Sequence, residues 1–387
     1  MRIVDIRETA VPLKSSLRNA VFDFSEMTTS IVAVVTDVVR DGRPVVGYAF
    51  NSTGRYACGA QMRARFIPRV LAADPQSLVD DAGTNLDPAR VLACMMQREK
   101  PGGHTERSVA IGTIEVAVWD AVAKIEQRPL HAALAARYSQ GRTQDRVRCY
   151  VGGGWYEPGK GIPQLIDEIR EKFAQGYDVM KIKVGGASID EDVRRVEAAL
   201  AFVGDASRLA VDANAGFDRD RSLAYARRFG RYGLRWFEEP TDPLDYALLS
   251  QFCAEYGAAV GTGENLFSTQ DVVNLLRFGG LRADRDYLQT DVPQSYGIVQ
   301  FSRTLAAMAE LGWTRDRVFP HGGNQMTLHI VGGFGLGGCE AYPGVFGPFA
   351  GFADDARVED GWLRLPDRPG IGFEGQNALY AIMKQMA

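Results

Sequence analysis

The fold is decided by four short apolar runs that each end in polar residues: DVMKIKV at 178–184, RLAVDAN at 208–214, LRWFEEP at 234–240 and AAVGTGE at 258–264. Two further runs, YLQTD at 287–291 and RVFPH at 317–321, repeat the pattern. Helical patterns lie between the runs, beginning with IDEDVRRVEAALAFVG at 189–204. Strands that alternate with helices predict βαβ units and a parallel sheet.

The polar residues that end these runs follow one another at intervals of 29, 26, 26, 27 and 30 residues; they are Lys183, Asp212, Glu238, Glu264, Asp291 and His321. A TIM barrel spends roughly 250 residues on eight units, or about 31 on each. The spacing therefore predicts a (β/α) barrel. It also puts all six residues at the carboxyl ends of the strands, where such barrels carry out chemistry.

The flanking regions do not follow this spacing. Residues 1 to 55 are strand-rich, with β-branched runs near 3–9 and 30–36, and residues 110–124 repeat their apolar positions at helical spacing. We predict an α+β domain over residues 1–130, a barrel domain over 131–350, and a segment at 351–387 that returns to the first domain.

Composition narrows the classes of function. The 387 residues carry a net charge of −4, with 48 acidic and 44 basic residues and no basic block, so neither nucleic acid nor membrane is an expected partner. No secretory leader is recognisable at the start. The five cysteines are scattered and unpatterned, which favours a reducing cytoplasm over a disulfide framework or a zinc site.

Three of the polar residues, Asp212, Glu238 and Glu264, end consecutive predicted strands and should lie side by side. Three carboxylates in contact repel one another, and a divalent cation resolves that repulsion. Oxygen ligands favour Mg²⁺ over zinc. The alternative is that each acid caps the helix that follows it.

Lys181 and Lys183 lie on one face of an apolar strand, because strand side chains alternate between faces. Buried ammonium groups are costly unless they are used, and a lysine with a lowered pKa can act as a general base. The alternative is that they extend to the surface or pair with acids. Asp291 and His321 end adjacent predicted strands, and a carboxylate that orients a histidine is a common acid–base device.

Together these residues predict removal of a proton next to a carboxylate, with the metal ion stabilising the enediolate that results. Asn214 shares a face with Asp212 and either binds a substrate oxygen or turns the chain.

The sequence resembles the enolase superfamily, and within it the mandelate racemase-like subgroup. The resemblance rests on K-x-K at 181–183, V-D-A-N at 211–214, F-E-E-P at 237–240, T-G-E-N at 262–265, Asp291, and P-H-G-G at 320–323. It covers nearly the whole chain. It implies an α+β capping domain built from both termini, a (β/α)7β modified TIM barrel, one Mg²⁺ per subunit and a homo-oligomer.

Further strings, among them REKPGGHTERSVA at 98–110 and RPGIGFEG at 368–375, resemble dehydratases of hydroxy-diacids. The resemblance implies a hydro-lyase that converts D-tartrate to oxaloacetate and water. Lys183 would remove the α-proton, His321 would assist departure of hydroxide, and Lys181 would bind the metal-held carboxylate.

The resemblance also implies that Lys100 holds a distal carboxylate; the weaker candidates for substrate contact are Asn19, Tyr156, Asn214 and Glu340. Asn324 stands where the pattern has a histidine, so the substrate stays open. The alternatives are another acid-sugar dehydratase, a racemase or epimerase that uses the same Lys/His pair, and an inactive barrel with a structural or binding role.

Overall fold

The computed structural model describes residues 1–387. Its strands are β1 Ile3–Pro12, β2 Thr28–Arg40, β3 Arg43–Phe50, β4 Arg146–Gly153, β5 Met180–Lys183, β6 Leu209–Asp212, β7 Phe237–Glu238, β8 Val260–Thr262, β9 Tyr287–Leu288, β10 Cys339–Ala341, β11 Val358–Glu359 and β12 Trp362–Arg364. Its α-helices are α1 Gly59–Gln61, α2 Ile67–Ala72, α3 Pro88–Met95, α4 Glu106–Ile125, α5 Leu130–Tyr138, α6 Ile162–Ala174, α7 Ile189–Val203, α8 Arg219–Phe229, α9 Tyr246–Tyr256, α10 Thr269–Phe278, α11 Ile298–Glu310, α12 Gln325–Phe334 and α13 Asn377–Met383.

The N-terminal part forms an antiparallel sheet in the order β1-β2-β3, with helix α4 packed against β2 and β3. Two glycines allow helix α4 to pack closely against the N-terminal sheet on one side and a barrel loop on the other. A Cβ at Gly47 would lie 2.1 Å from the Ala117 carbonyl oxygen, and a Cβ at Gly112 would lie 2.1 Å from that of Pro293. Helix α4 is therefore held between the N-terminal sheet and the barrel and is buried over nearly its whole length.

Parallel strands β4 to β9 pair in sequence order, and β10 pairs in parallel with β4. The seventh barrel strand is a short segment at Val318, which bridges Leu288 of β9 and accepts a hydrogen bond from Gly337, and β10 is the eighth. A helix follows each of the first seven barrel strands, and none follows β10 before the final segment. The predicted (β/α)7β barrel with an α+β capping domain is confirmed.

The final segment contacts both parts of the molecule. Strand β12 pairs antiparallel with β4, with Leu363 opposite Val147. Further along, Phe373 packs against Phe50 of the N-terminal sheet, and Arg7 donates to the Met386 carbonyl oxygen at 2.8 Å. None of the helices is both long enough and apolar enough to cross a membrane.

Candidate active site

The three acids predicted to bind a metal follow neighbouring strands. Asp212 and Glu238 are the last residues of β6 and β7, pair in register and are buried. Glu264 lies two residues beyond β8, and its side chain is 17 % exposed at the barrel mouth. The register of the parallel strands therefore puts these acids on one arc of the barrel rim.

Both lysines of β5 point into this group of acids. The Lys181 ammonium contacts Glu238 Oε1, Glu340 Oε1 at 2.7 Å and Asp212 Oδ2 at 3.4 Å. The Lys183 ammonium lies 2.5 Å from Asp212 Oδ2 and 4.6 Å from the centre of the Trp155 ring. Neither lysine extends to the surface, so the alternating pattern K-I-K supplies two cations to the barrel interior.

These contacts shift the pKa values of the two acids in opposite directions. Burial raises the pKa of Asp212, but the two lysine charges outweigh burial and lower it to about 2. Burial, with the charges of Asp212 and Glu340, raises the pKa of Glu238 to about 7 despite Lys181. Burial would lower the pKa of Lys181, yet Glu238 and Glu340 hold it well above its usual value.

His321 lines the same cavity as Lys183. Its Nδ1 is 2.8 Å from Asp291 Oδ2, and its Nε2 is 3.8 Å from Glu264 Oε2. Burial disfavours the charged ring, but Glu264, Asp291 and Glu340 together raise its pKa to about 10. The imidazole is therefore held by one carboxylate and protonated at neutral pH in this arrangement.

The charge and donor chemistry of the mouth fit a divalent cation. Six carboxyl groups face three cationic side chains; they are Asp212, Glu238, Glu239, Glu264, Asp291 and Glu340 against Lys181, Lys183 and His321. Glu239 Oε2 and Asn214 Oδ1 are buried oxygens with no hydrogen-bond donor. No three acidic, histidine or cysteine side chains converge in metal-binding geometry, since Lys181 contacts both Asp212 and Glu238. Because the donors are oxygens and negative charge is in excess, the residues suit Mg²⁺.

A cavity of about 30 Å³ lies above these groups, between the barrel and the capping domain. Lys183, Glu264, His321 and Asn214 line it from the barrel, and Asn19 lines it from the capping domain. Asn19 Oδ1 accepts hydrogen bonds from the Val21 and Phe22 amides at 2.8 and 2.6 Å and so shapes its own loop.

Two residues expected to contact substrate lie elsewhere. Tyr156 does not line the cavity, because its hydroxyl donates to Asp192 Oδ1 at 2.6 Å behind β5. Lys100 is exposed on the capping domain and is absent from the cavity wall. Glu340 is buried beside the cavity, where it accepts hydrogen bonds from Lys181 and from the Tyr342 hydroxyl at 2.6 Å.

Asn324, the departure from the resemblance, caps a helix. Its Oδ1 accepts from the Thr327 amide at 3.1 Å at the start of α12, and the residue is buried. Here a helix N-cap explains the asparagine without a role in chemistry.

Comparison with known proteins identifies the family. Residues 164–378 match the family model described as "Enolase C-terminal domain-like", which is more than half of the chain. The chain belongs to the enolase superfamily.

Relatives within this superfamily include several that act on acid sugars. An L-talarate/galactarate dehydratase of Salmonella typhimurium is 27 % identical over 89 % of this chain and 81 % of its own length. A 3,6-anhydro-alpha-L-galactonate cycloisomerase of Streptomyces coelicolor is 31 % identical over 70 % of each chain. The solved structure of L-talarate dehydratase from Polaromonas sp. JS666, complexed with Mg and L-glucarate, superposes with a TM-score of 0.77 at 25 % identity, covering 96 % of this chain and 94 % of that one.

Sequence reasoning missed the part of this enolase-superfamily site that comes from loops. Phe22, Phe24 and Thr53 of the capping domain line the cavity. Asn265 also lines it and donates to Glu239 Oε1 at 2.7 Å. The motif G-E-N-L-F-S at 263–268 contains Asn265 and could have indicated its position in the site. The loops near residues 22 and 53 contain no motif that predicts a role in the site.

Proposed function

We propose that this protein is a Mg²⁺-dependent dehydratase of acid sugars or hydroxy-diacids. The observation that carries the proposal is that Lys183 and His321 line one cavity, with Glu264 beside the histidine. Numbered from β4 around the barrel, Lys183 ends the second strand and His321 follows the seventh. The intervening third, fourth and fifth strands supply the three acids. A substrate held above the acids would therefore have the lysine on one side and the histidine on the other.

In this mechanism Asp212, Glu238 and Glu264 would hold the Mg²⁺. When bound, the cation supplies electrostatic stabilisation of the negative charge that develops on a substrate carboxylate. Lys183 accepts the proton from the carbon next to that carboxylate. His321 gives a proton to the hydroxyl on the following carbon, whose C–O bond breaks so that water leaves. The enol that remains gains a proton on carbon and becomes a 2-keto acid.

Asp291 and Lys181 support these two groups. The contact from Asp291 to Nδ1 fixes the ring orientation of His321 and leaves Nε2 facing the cavity. Lys181 brings a buried positive charge to the acids that end β6 and β7. We assign it to the carboxylate of the substrate that the metal ion binds.

For the substrate we propose D-tartrate, which would give oxaloacetate. The support is the resemblance of the strings at 98–110 and 368–375 to dehydratases of hydroxy-diacids. The relatives named for talarate, galactarate and arabinonate support the broader class of acid-sugar substrates.

A substrate screen tests the proposal. The Mg²⁺-loaded protein is incubated with the three tartrate stereoisomers, galactarate, arabinonate and gluconate, and keto acid is detected. We expect keto acid from D-tartrate, and none after chelation of the metal ion. If only galactarate is turned over, the substrate is galactarate and the assignment of D-tartrate is wrong. Absence of keto acid from every acid sugar would refute the dehydratase.

The alternative is a racemase or epimerase. The same observation favours it, because two proton-transfer groups on opposite sides can remove and return one α-proton. Incubation in deuterated water followed by NMR separates the two reactions. Deuterium in recovered substrate of inverted configuration, without keto acid, would identify the racemase.

A further inference from the structure

Glu238, one of the three acids assigned to the metal ion, has different partners on its two carboxylate oxygens. Its Oε1 contacts the Lys181 ammonium. Its Oε2 accepts one hydrogen bond from Trp236 Nε1 at 2.8 Å and another from Gln289 Nε2 at 2.6 Å. Glu238, Trp236 and Gln289 are all buried, so water does not compete for Oε2. One oxygen therefore faces a cation, and the other is held by two neutral donors.

The two donors come from different strands of the barrel and are fixed by packing. Trp236 immediately precedes β7, and the centre of its ring lies 5.0 Å from that of Tyr150 and 5.3 Å from that of Tyr287. Gln289 immediately follows β9. Gly261 of β8, the strand between them, leaves room for both, because a Cβ there would lie 2.9 Å from Trp236 Cδ1 and would collide with Gln289 Oε1. The packing therefore keeps both donors directed at one carboxylate.

The chemistry of these donors suits the orientation of a metal ligand. The indole N–H of Trp236 can only donate, and the ionised carboxylate of Glu238 can only accept, so Gln289 must present its amide nitrogen to Oε2. Neither donor carries a charge, so both orient the carboxylate without neutralising it. Partners of this kind behind a metal ligand raise the affinity for the metal ion. With Oε2 held in this way, Glu238 has Oε1 alone to offer to a cation.

We infer that Trp236 and Gln289 are positioning residues that make Glu238 a one-oxygen ligand and so set a preference for Mg²⁺ over Ca²⁺. The inference rests on the metal site of the proposed function and adds to it how the site selects its cation. Mg²⁺ requires a compact, nearly octahedral shell, which single oxygens from each carboxylate suit. Ca²⁺ is larger and accepts both oxygens of one carboxylate in a looser shell. Release of Oε2 should therefore weaken Mg²⁺ binding more than Ca²⁺ binding.

Calorimetric titration of the chelator-treated full chain with MgCl₂, and separately with CaCl₂, measures both affinities without turnover. The variants Trp236→Phe and Gln289→Met each remove one donor and keep a side chain of similar shape. In each variant we expect Mg²⁺ to bind about 10- to 100-fold more weakly, the usual effect of losing a partner of a metal ligand. Ca²⁺ affinity should fall by less than about 3-fold, because its shell tolerates a mobile carboxylate.

Tyr287→Phe is the matched control for these variants. It removes a hydroxyl from the aromatic layer that packs on Trp236, and it leaves both hydrogen bonds to Glu238 in place. Neither the Mg²⁺ affinity nor the Ca²⁺ affinity should change in this control. If Trp236→Phe fails to fold, Gln289→Met decides the outcome, because it leaves the aromatic layer intact.

Glu238→Gln separates failure of the inference from failure of the metal site. If Glu238→Gln weakens Mg²⁺ binding and the two donor variants do not, Glu238 is a ligand and the inference is wrong. Equal losses of Mg²⁺ and Ca²⁺ affinity in the donor variants also overturn it, because a general disturbance of the barrel does not discriminate between the cations. If the unsubstituted protein binds no Mg²⁺, or Glu238→Gln binds it as tightly, the metal site and the inference both fail. Selection of Mg²⁺ through both donors, without keto acid from any acid sugar, would refute the dehydratase and support the inference.

Discussion

His321 and His329 lie eight residues apart in the chain, and both rings are largely enclosed by protein, yet their pKa values shift in opposite directions. His321, at the barrel mouth, is surrounded by carboxylates that raise its pKa to about 10 against the effect of burial. His329, in helix α12, has a pKa of about 3, because burial and the neighbouring His131 both favour the neutral ring.

The difference between the two regions is how charge is grouped. At the mouth, buried ionisable groups contact one another in a network of acids, lysines and a histidine. Under α12, the His329 ring accepts a hydrogen bond from the His131 amide at 3.2 Å, and its Nε2 has no partner. Buried charges of both signs around an open cavity are typical of a catalytic site, whereas the His131–His329 pair contains no acid and belongs to packing.

Replacement of Lys183 by Ala should produce the largest effect. Without its proton acceptor the site should lose about 10³- to 10⁴-fold in kcat on the substrate identified by the screen. Calorimetry should still detect Mg²⁺ binding, because the three acids remain. Full activity in this variant would remove Lys183 from its assigned role.

Asp192→Asn tests the hydrogen-bond network that packs behind β5 and contacts the Lys183 backbone. The Asp192 carboxylate accepts from the Gly185 amide at 2.6 Å, from the Tyr225 hydroxyl at 2.8 Å and from Arg195, which also holds the Lys183 carbonyl oxygen at 3.0 Å. Loss of this buried charge should lower the free energy of unfolding in urea by about 3 kcal/mol.

Asp190→Asn is the matched control for Asp192→Asn. Asp190 lies two residues before Asp192 in the chain and pairs with Arg228 at the surface. Loss of its charge should therefore lower the free energy of unfolding by less than about 1 kcal/mol. Equal losses in the two variants would mean that the Asp192 network does not support the strand.

Asp291→Asn should sharpen the contrast between the histidines. It removes one of the groups that raise the pKa of His321 and the bond that orients its ring. We expect kcat to fall about 10²-fold and the alkaline limb of the pH–rate profile to move to lower pH, because the histidine loses its proton earlier. If the alkaline limb stays at the same pH in this variant, His321 is not the general acid.

His329→Gln should have the smallest effect, and on stability alone. In the folded protein the pKa of His329 is about 3, below its usual 6.5. Between these values the unfolded chain takes up a proton that the folded one does not, so stability is lost as pH falls through this window. The variant should show a shallower loss of unfolding free energy from pH 6.5 to 4. An unchanged slope would show that His329 titrates normally in the folded state.

The barrel could be predicted because its strands end in polar residues at near-equal intervals, and short βα units leave few topologies open. The same register predicted which acids and lysines are neighbours. Helix α4 was harder to read. Its helical periodicity was visible, but it is packed on both sides, which depends on contacts with a barrel loop more than 170 residues away along the chain.

The capping wall was the least predictable part. Phe22 and Thr53 come from irregular loops whose positions depend on tertiary packing, and no residue spacing indicates where such side chains point. Tyr156 was expected at the substrate, and its hydroxyl instead bonds Asp192. Lys100 stays a prediction from resemblance, and its side chain is exposed outside the cavity wall.

The contacts between the two ends of the chain have a consequence for how the protein is made. Phe373 packs on Phe50, and Arg7 donates to the Met386 carbonyl oxygen, so the N-terminal sheet contacts residues that follow every barrel strand in the chain. On the ribosome, all barrel strands emerge while that sheet still lacks its final partners. We expect the nascent barrel to depend on chaperones until the C-terminal residues arrive, because exposed apolar surface on a long intermediate favours aggregation.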